Sequence, residues 1–92
     1  MSLPPLNAIR VFEAIGRLGS IKDAASELFV TPGAASRQLA RLEQHLGVRL
    51  FKRSHRQVAL TPAGERYLGS VSDALRALSD ATEHLVTTKG RA

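Results

Sequence analysis

The sequence contains no cysteine, so it can form neither a disulfide framework nor a thiolate metal site. Its three histidines, His45, His55 and His84, lie far apart and lack the spacing of metal ligands, which predicts surface residues and no metal site. No stretch of the chain is long and apolar enough for a signal peptide or a transmembrane span. We therefore expect a cytoplasmic protein that binds no metal and does not contact a membrane.

The residue combinations that support catalysis are also lacking. There is no recognisable Ser/His/Asp set, no pair of carboxylates and no glycine-rich phosphate loop after a strand. At 92 residues, with 43% hydrophobic and 23% charged, the chain is long enough for one globular core but short for an enzyme with a deep cleft. These features predict a small domain that is not an enzyme and has no cofactor.

Positive charge is present, and it is concentrated in one stretch. The formal net charge is +5, and residues 62–92 carry equal numbers of acidic and basic side chains. Residues 37–56 contain one acidic residue, Glu43, and six basic ones: Arg37, Arg41, Arg49, Lys52, Arg53 and Arg56. Clustered positive charge is typical of a surface that meets phosphate groups. A solvated basic face with no partner is the open alternative.

The first half of the chain has the patterns of two helices. The segment "LNAIRVFEAIGRLG" is apolar around most of its circumference, which predicts a buried helix with Asn7 as a candidate cap and Gly16 and Gly19 near its end. Ser20 is a candidate N-cap for a short second helix, with Asp23 three residues later. The inward face of this second helix is mostly alanine, which lets a neighbouring helix approach closely.

The segment "TPGAASRQLARLEQHLG" predicts a third helix with an unusually bare first turn. Thr31 can cap it and Pro32 can take its first position. The buried stripe is predicted at Ala35, Leu39, Leu42 and Leu46, and the opposite side carries Gly33, Arg37, Ala40 and Gln44, flanked by Ser36.

Two helices joined by a short turn, the second with a bare tip, indicate a helix-turn-helix whose tip enters the major groove of DNA. Small residues let the backbone approach the bases, and serine and arginine side chains reach bases or phosphates. The predicted contact residues are Thr31, Pro32, Gly33, Ala34, Ser36, Arg37 and Arg41. A solvated amphipathic helix is the open alternative.

The segment "VRLFKRSHRQVALT" changes to the pattern of a short two-stranded hairpin, after Gly47 closes the third helix in the left-handed conformation. A hairpin directly after a recognition helix is a wing. We expect Lys52, Arg53 and Arg56 to lie along the phosphate backbone or in the adjacent minor groove. A solvated loop is the alternative here.

The last element begins with "TPAGE" and predicts a long helix that starts at Pro62, with Thr61 as its cap. Apolar residues at heptad spacing form a seam for pairing with a second copy of the chain. The seam residues are Leu68, Val71, Leu75, Leu78 and Leu85. Packing within one chain is the alternative. The predicted organisation is a DNA-binding domain at 1–61, a dimerisation helix at 62–88 and a polar connection at 89–92.

Three separated motifs, "AASEL", "SRQLARLEQHLGVRLFKR" and "LTPAGE", resemble in order and spacing the N-terminal DNA-binding domain of LysR-type transcriptional regulators. The resemblance covers nearly the whole chain. It implies a mainly α, winged helix-turn-helix fold of three helices and a hairpin wing, followed by a long linker helix. It also implies a homodimer that binds double-stranded DNA at an interrupted inverted repeat, within a parent protein that is a dimer or a tetramer.

The family's recognition-helix contacts carry over to Gly33, Ala34, Ser36 and Arg37, and its wing arginines to Arg53 and Arg56. This chain has Pro32 followed by Gly33 where many members have glutamine before proline, so a polar contact usual in the family is absent. Family members also carry a large C-terminal domain that binds a small-molecule effector. We therefore expect the chain to be part of a longer protein. A small dimeric interaction module that does not bind DNA is the alternative function.

Overall fold

The computed structural model describes residues 2–54 and 57–89, which form four helices and one two-stranded antiparallel hairpin. The elements in chain order are α1 (Leu6–Leu18), α2 (Ile21–Glu27), α3 (Pro32–Leu46), β1 (Phe51–Ser54), β2 (Gln57–Leu60) and α4 (Pro62–Lys89). This arrangement is the mainly α, winged helix-turn-helix fold with a long final helix that the sequence predicts. Within the described residues, no helix has the length and apolar character needed to cross a membrane.

Helix α1 lies at the centre of the fold, and α2, α3 and α4 all pack against it. Its start differs from the prediction, because the helix begins at Leu6 and Asn7 lies inside its first turn without capping it. The carbonyl of Pro5 accepts hydrogen bonds from the next turn instead, at 3.1 Å from the Ala8 nitrogen. Gly19 ends the helix with φ +69°, whereas Gly16 lies within it.

Helix α2 is short and is held by a cap, by close packing and by an ion pair. The Ser20 hydroxyl accepts a hydrogen bond from the Asp23 nitrogen, as predicted, and Ala24 and Ala25 are buried. Arg17 of α1 donates to the carboxylates of both Glu13 and Glu27, which ties the end of α2 to α1. The hydrogen bonds from Arg17 lower the pKa of the Glu27 carboxyl below its usual range.

The core joins the helices to the hairpin through three aromatic rings. The ring of Phe12 in α1 lies 5.6 Å from that of Phe51 at the start of β1 and 5.4 Å from that of Tyr67 in α4, centroid to centroid. Tilted aromatic pairs at these separations add to the stabilisation that burial provides. The base of the hairpin is therefore part of the same core as α1 and α4.

Helix α4 divides into a packed first half and an exposed second half. Val71 is buried, and Leu68 and Leu75 pack against the core from its edge. A Cβ added to Gly16 of α1 would lie only 2.8 Å from a methyl carbon of Leu68, so the two helices are very close there.

The first half of the seam predicted for pairing with a second copy also packs within the chain, because Val71 is buried and Leu68 and Leu75 are half-buried against α1 and the core. Heptad spacing reports that a face is apolar but not which surface covers it. Leu78 and Leu85, the other two seam residues, are 57% and 70% exposed, and Val86 beside them is 67% exposed. The second half of the seam is therefore its more exposed part.

Candidate nucleic-acid interface

The exposed tip of α3 is formed by its first turn. Thr31 precedes the helix in an extended conformation, and its hydroxyl accepts a hydrogen bond of 3.1 Å from the Ala34 nitrogen. Pro32 occupies the first turn, where its missing N–H costs no hydrogen bond. Both residues are exposed, as is Gly33, whereas Ala34 is half-buried. The predicted cap is confirmed, and the tip stands clear of the rest of the chain.

The two sides of α3 are separated as the periodicity predicts. Ala35, Leu39 and Leu42 have no exposed surface and pack in the core. The opposite face is exposed, with Ser36 half-buried at its edge, and it consists of Gly33, Arg37, Ala40 and Gln44. One side thus anchors the helix while the other is free to meet a ligand.

Two arginines extend the exposed face of α3 with positive charge. Arg37 folds over the first turn, since its Nη1 would lie 3.6 Å from a Cβ added at Gly33. Arg41, one turn further along, is also exposed. The first turn therefore combines a nearly bare backbone with a guanidinium group directly beside it, an arrangement that suits a base edge or a phosphate.

The turn between α2 and α3 contains a backbone conformation that the sequence did not predict. Phe29 has φ +59°, in the left-handed region that costs a residue with a bulky side chain about 1–2 kcal/mol. Its ring is 95% exposed. The turn is closed by a hydrogen bond of 3.0 Å from the Val30 nitrogen to the Ala25 carbonyl. This conformation lets the chain reverse in few residues and sets the angle between α2 and α3.

The first strand of the hairpin carries two exposed basic side chains. In β1, Lys52 pairs with Ala59 and Arg53 with Val58, and both basic residues are exposed. The preceding residues, Leu50 and Phe51, are buried and anchor the hairpin in the core. The third predicted wing residue, Arg56, lies outside the described residues.

The base of the wing is held by Glu43, a residue for which sequence reasoning gave no role. Its carboxylate Oε2 accepts hydrogen bonds from the backbone nitrogens of Leu50 at 2.7 Å and Phe51 at 3.2 Å. The one feature of the sequence that could have pointed to it is that Glu43 is the single acidic residue in the basic stretch 37–56.

The start of α4 holds the same segment from the other side. The Thr61 nitrogen donates to the Leu50 carbonyl at 3.0 Å, and the Thr61 hydroxyl donates to the Arg49 carbonyl at 2.8 Å. The same hydroxyl accepts from the Gly64 nitrogen at 3.0 Å, which confirms Thr61 as the cap of α4. Residues 49–51 are thus held by hydrogen bonds from both α3 and the start of α4.

Comparison with known families agrees with this arrangement. The family model of the bacterial regulatory helix-turn-helix proteins of the LysR family matches residues 6–65, which run from the start of α1 to the first turn of α4. The chain belongs to the LysR family. The matched region of this LysR-family chain contains the whole helix-turn-helix, the wing and Thr61, the cap of α4 that holds the base of the wing.

Individual relatives and solved structures show how similar this LysR-family chain is to known members. It is 46% identical over 87 residues to the glycine cleavage system transcriptional activator homolog of Haemophilus influenzae, an alignment that covers 95% of this chain and 29% of that protein. The chain thus spans less than a third of the length of this curated relative.

Two solved structures share the fold. The oxidised form of OxyR from Corynebacterium glutamicum matches with a TM-score of 0.84 and 35% identity, over 90% of this chain and 27% of that one. The DNA-binding domain of CbnR, solved in complex with DNA, matches with a TM-score of 0.80 and 30% identity, over 91% of this chain and 97% of that one. The LysR-family chain is therefore a winged helix-turn-helix DNA-binding domain of a transcriptional regulator.

Proposed function

We propose that this domain binds double-stranded DNA sequence-specifically, as a dimer, at an interrupted inverted repeat in bacterial promoters. The observation that carries the proposal is the first turn of α3, which is exposed, small and flanked by Arg37, while its opposite face is fixed in the core. A tip of this shape fits the major groove, where base edges present distinct patterns of donors and acceptors.

The tip contributes to binding in two ways. Pro32, Gly33 and Ala34 keep the backbone close to the bases because their side chains are small or fold along the helix. Ser36 and Arg37 then reach base edges or phosphates, and Arg41 extends the contact along the backbone of the DNA. The free N–H groups of the first turn add attraction for phosphate.

The wing supplies contacts that do not depend on sequence. Lys52 and Arg53 are exposed on β1, whose start is hydrogen-bonded to Glu43 of α3, and we expect them to lie along the phosphate backbone. We assign the same role to Arg56. These contacts set the orientation of the domain on the duplex, while the tip of α3 reads the sequence.

The test of the tip is a DNA titration with Arg37→Ala at fixed salt. We expect a loss of about 1–3 kcal/mol of binding free energy on a specific site and a much smaller loss on random DNA. Arg76→Ala is the matched control, because Arg76 is an exposed arginine of α4 away from the tip of α3. Equal affinities for the Arg37 variant and the control would contradict the assignment.

Dimerisation is the second part of the proposal, and the exposed half of α4 supports it. Leu78, Leu85 and Val86 form an apolar surface that a single copy leaves in water. Pairing through this surface buries the leucines and joins two half-site contacts by a high effective concentration. Two recognition helices related by a two-fold axis fit an inverted repeat.

The test of dimerisation is sedimentation of Leu78→Asp combined with Leu85→Asp. We expect a folded monomer that binds a half-site weakly and has no preference for the inverted repeat. Thr87→Asp is the control, because Thr87 is exposed and lies on the side of α4 opposite Leu85. A double variant that sediments as a dimer would rule out this part of α4 as the interface.

A further inference from the structure

We propose that Glu43 is a positioning residue for the wing. Its carboxylate fixes the start of β1 against the recognition helix, and so determines where Lys52 and Arg53 stand on the DNA. The inference rests on the proposed contact between wing and phosphate backbone. It assigns a binding role to the one acidic side chain in a stretch whose other charges are all positive.

The carboxylate of Glu43 lies against the backbone at the start of β1. One oxygen of Glu43 accepts from two successive backbone nitrogens, those of Leu50 and Phe51, at 2.7 and 3.2 Å. The side chains of both residues are almost completely buried. Consecutive N–H groups that converge on one oxygen restrict the backbone direction at this point more than a single hydrogen bond would.

The same segment is also fixed on its other side. The carbonyl of Leu50 accepts from the Thr61 nitrogen and lies against Gly64, where an added Cβ would be only 2.1 Å from it. The residue before β1 therefore has its N–H tied to α3 and its carbonyl tied to the start of α4. If the hydrogen bonds to Glu43 are removed, the backbone here keeps its hydrogen bond to the start of α4, and Leu50 and Phe51 keep their packing in the core, but the hydrogen-bonded attachment to α3 is lost.

The attachment of β1 to α3 also bears on DNA binding. Lys52 and Arg53 follow Phe51 directly in β1, so their distance from the exposed face of α3 depends on where β1 begins. A free carboxylate here would repel phosphate groups. The two backbone N–H donors instead hold the Glu43 carboxylate at the base of the wing, against the backbone of Leu50 and Phe51.

Two substitutions separate positioning from charge. Glu43→Asp keeps the negative charge but is one methylene too short for the present hydrogen bonds. Glu43→Gln keeps the reach and an acceptor oxygen but removes the charge. Each is combined with Arg53→Gln, and affinity for one specific duplex is measured over a series of salt concentrations, after thermal melting has shown that each variant is folded.

In the native background, we expect Arg53→Gln to lower affinity severalfold and to reduce the salt slope by about one unit, the loss of one phosphate contact. In the Glu43→Asp background, the further effect of Arg53→Gln is expected to fall below about twofold, because the start of β1 is no longer fixed against α3. In the Glu43→Gln background, the full effect of Arg53→Gln is expected to return.

The outcomes distinguish the two proposals. If Arg53→Gln changes neither affinity nor slope, the wing contact fails and the role of Glu43 fails with it. If Arg53→Gln acts fully in the native and Glu43→Asp backgrounds alike, the wing contact stands and the positioning role is overturned. Should Glu43→Asp not fold, Glu43→Ala takes its place in the same comparison, because alanine also lacks an acceptor oxygen within reach, and a full Arg53 effect in that background overturns the positioning role. A loss of the Arg53 effect in Glu43→Gln overturns the hydrogen-bond mechanism.

Discussion

Two helices of this molecule begin with the same dipeptide, Thr-Pro, and the two starts are used differently. Thr31 and Thr61 both cap their helices by accepting a hydrogen bond from the nitrogen three residues later. At α3 the capped turn projects into solvent. At α4 the capped turn is pressed against the backbone of residues 49–51.

The difference lies in whether each threonine hydroxyl also donates a hydrogen bond. Thr61 donates its hydrogen to the Arg49 carbonyl, so both hydrogen-bonding capacities of its hydroxyl are used within the chain. Thr31 makes only the capping bond among the described residues, which leaves its hydrogen available to a phosphate oxygen. The same capping interaction therefore leaves the start of α3 exposed, as a free tip, and attaches the start of α4 to residues 49–51, as a fixed joint.

The largest expected effect is at Gly64, in the fixed joint. A Cβ there would lie 2.1 Å from the Leu50 carbonyl oxygen, a backbone atom that cannot move without breaking its bond from Thr61. We expect Gly64→Ala to lower the free energy of unfolding by about 3 kcal/mol, measured by urea denaturation. A loss below about 1 kcal/mol would show that the backbone at Leu50 and Gly64 can move apart at little cost in stability.

A smaller effect is expected from the paired substitutions Thr61→Val and Thr31→Val. Each removes a cap, which costs about 1 kcal/mol, but Thr61→Val also removes the donor to the Arg49 carbonyl, for a total of about 2 kcal/mol. Thermal melting of the two variants side by side gives the difference. Equal losses would mean that the second bond of Thr61 adds nothing.

The smallest expected change in stability is at Gly33, in the free tip. An added Cβ there meets only Nη1 of Arg37, at an ordinary contact distance of 3.6 Å. We expect Gly33→Ala to leave the free energy of unfolding unchanged or to raise it by up to about 1 kcal/mol, since alanine favours a helix. Affinity for a specific duplex should fall, because the methyl group holds the backbone away from the bases. Unchanged affinity would show that the DNA does not contact the backbone at Gly33.

Features that depend on neighbouring residues were predicted well from the sequence. The caps at Ser20, Thr31 and Thr61 and the turn at Gly47 involve groups within four residues of one another. The buried stripe of α3 follows from helical periodicity. At the start of α1 the prediction failed, because Pro5 already provides the carbonyl that begins the helix, and Asn7 lies too late to cap it.

Features that depend on distant parts of the chain were not readable in the same way. The seam of α4 has one continuous pattern, yet α1 covers Leu68 and leaves Leu78 open, and no local signal marks the boundary. The bonds of Glu43 reach seven and eight residues ahead, across a turn whose geometry the sequence does not specify. The roles of the individual residues in DNA binding and pairing stay predictions.

The length of α4 gives the joint at Thr61 a mechanical meaning. A helix of 28 residues is about 42 Å long at 1.5 Å per residue; segment 49–51 is the pivot at the start of α4, and the packing of its first half against α1 also resists a tilt. A tilt of about 5° at the pivot moves the far end by about 4 Å, close to the 3.4 Å rise of one base pair. In the proposed dimer, the hydrogen bonds at the start of α4 and the packing of its first half would together limit how far apart the two domains lie on a duplex.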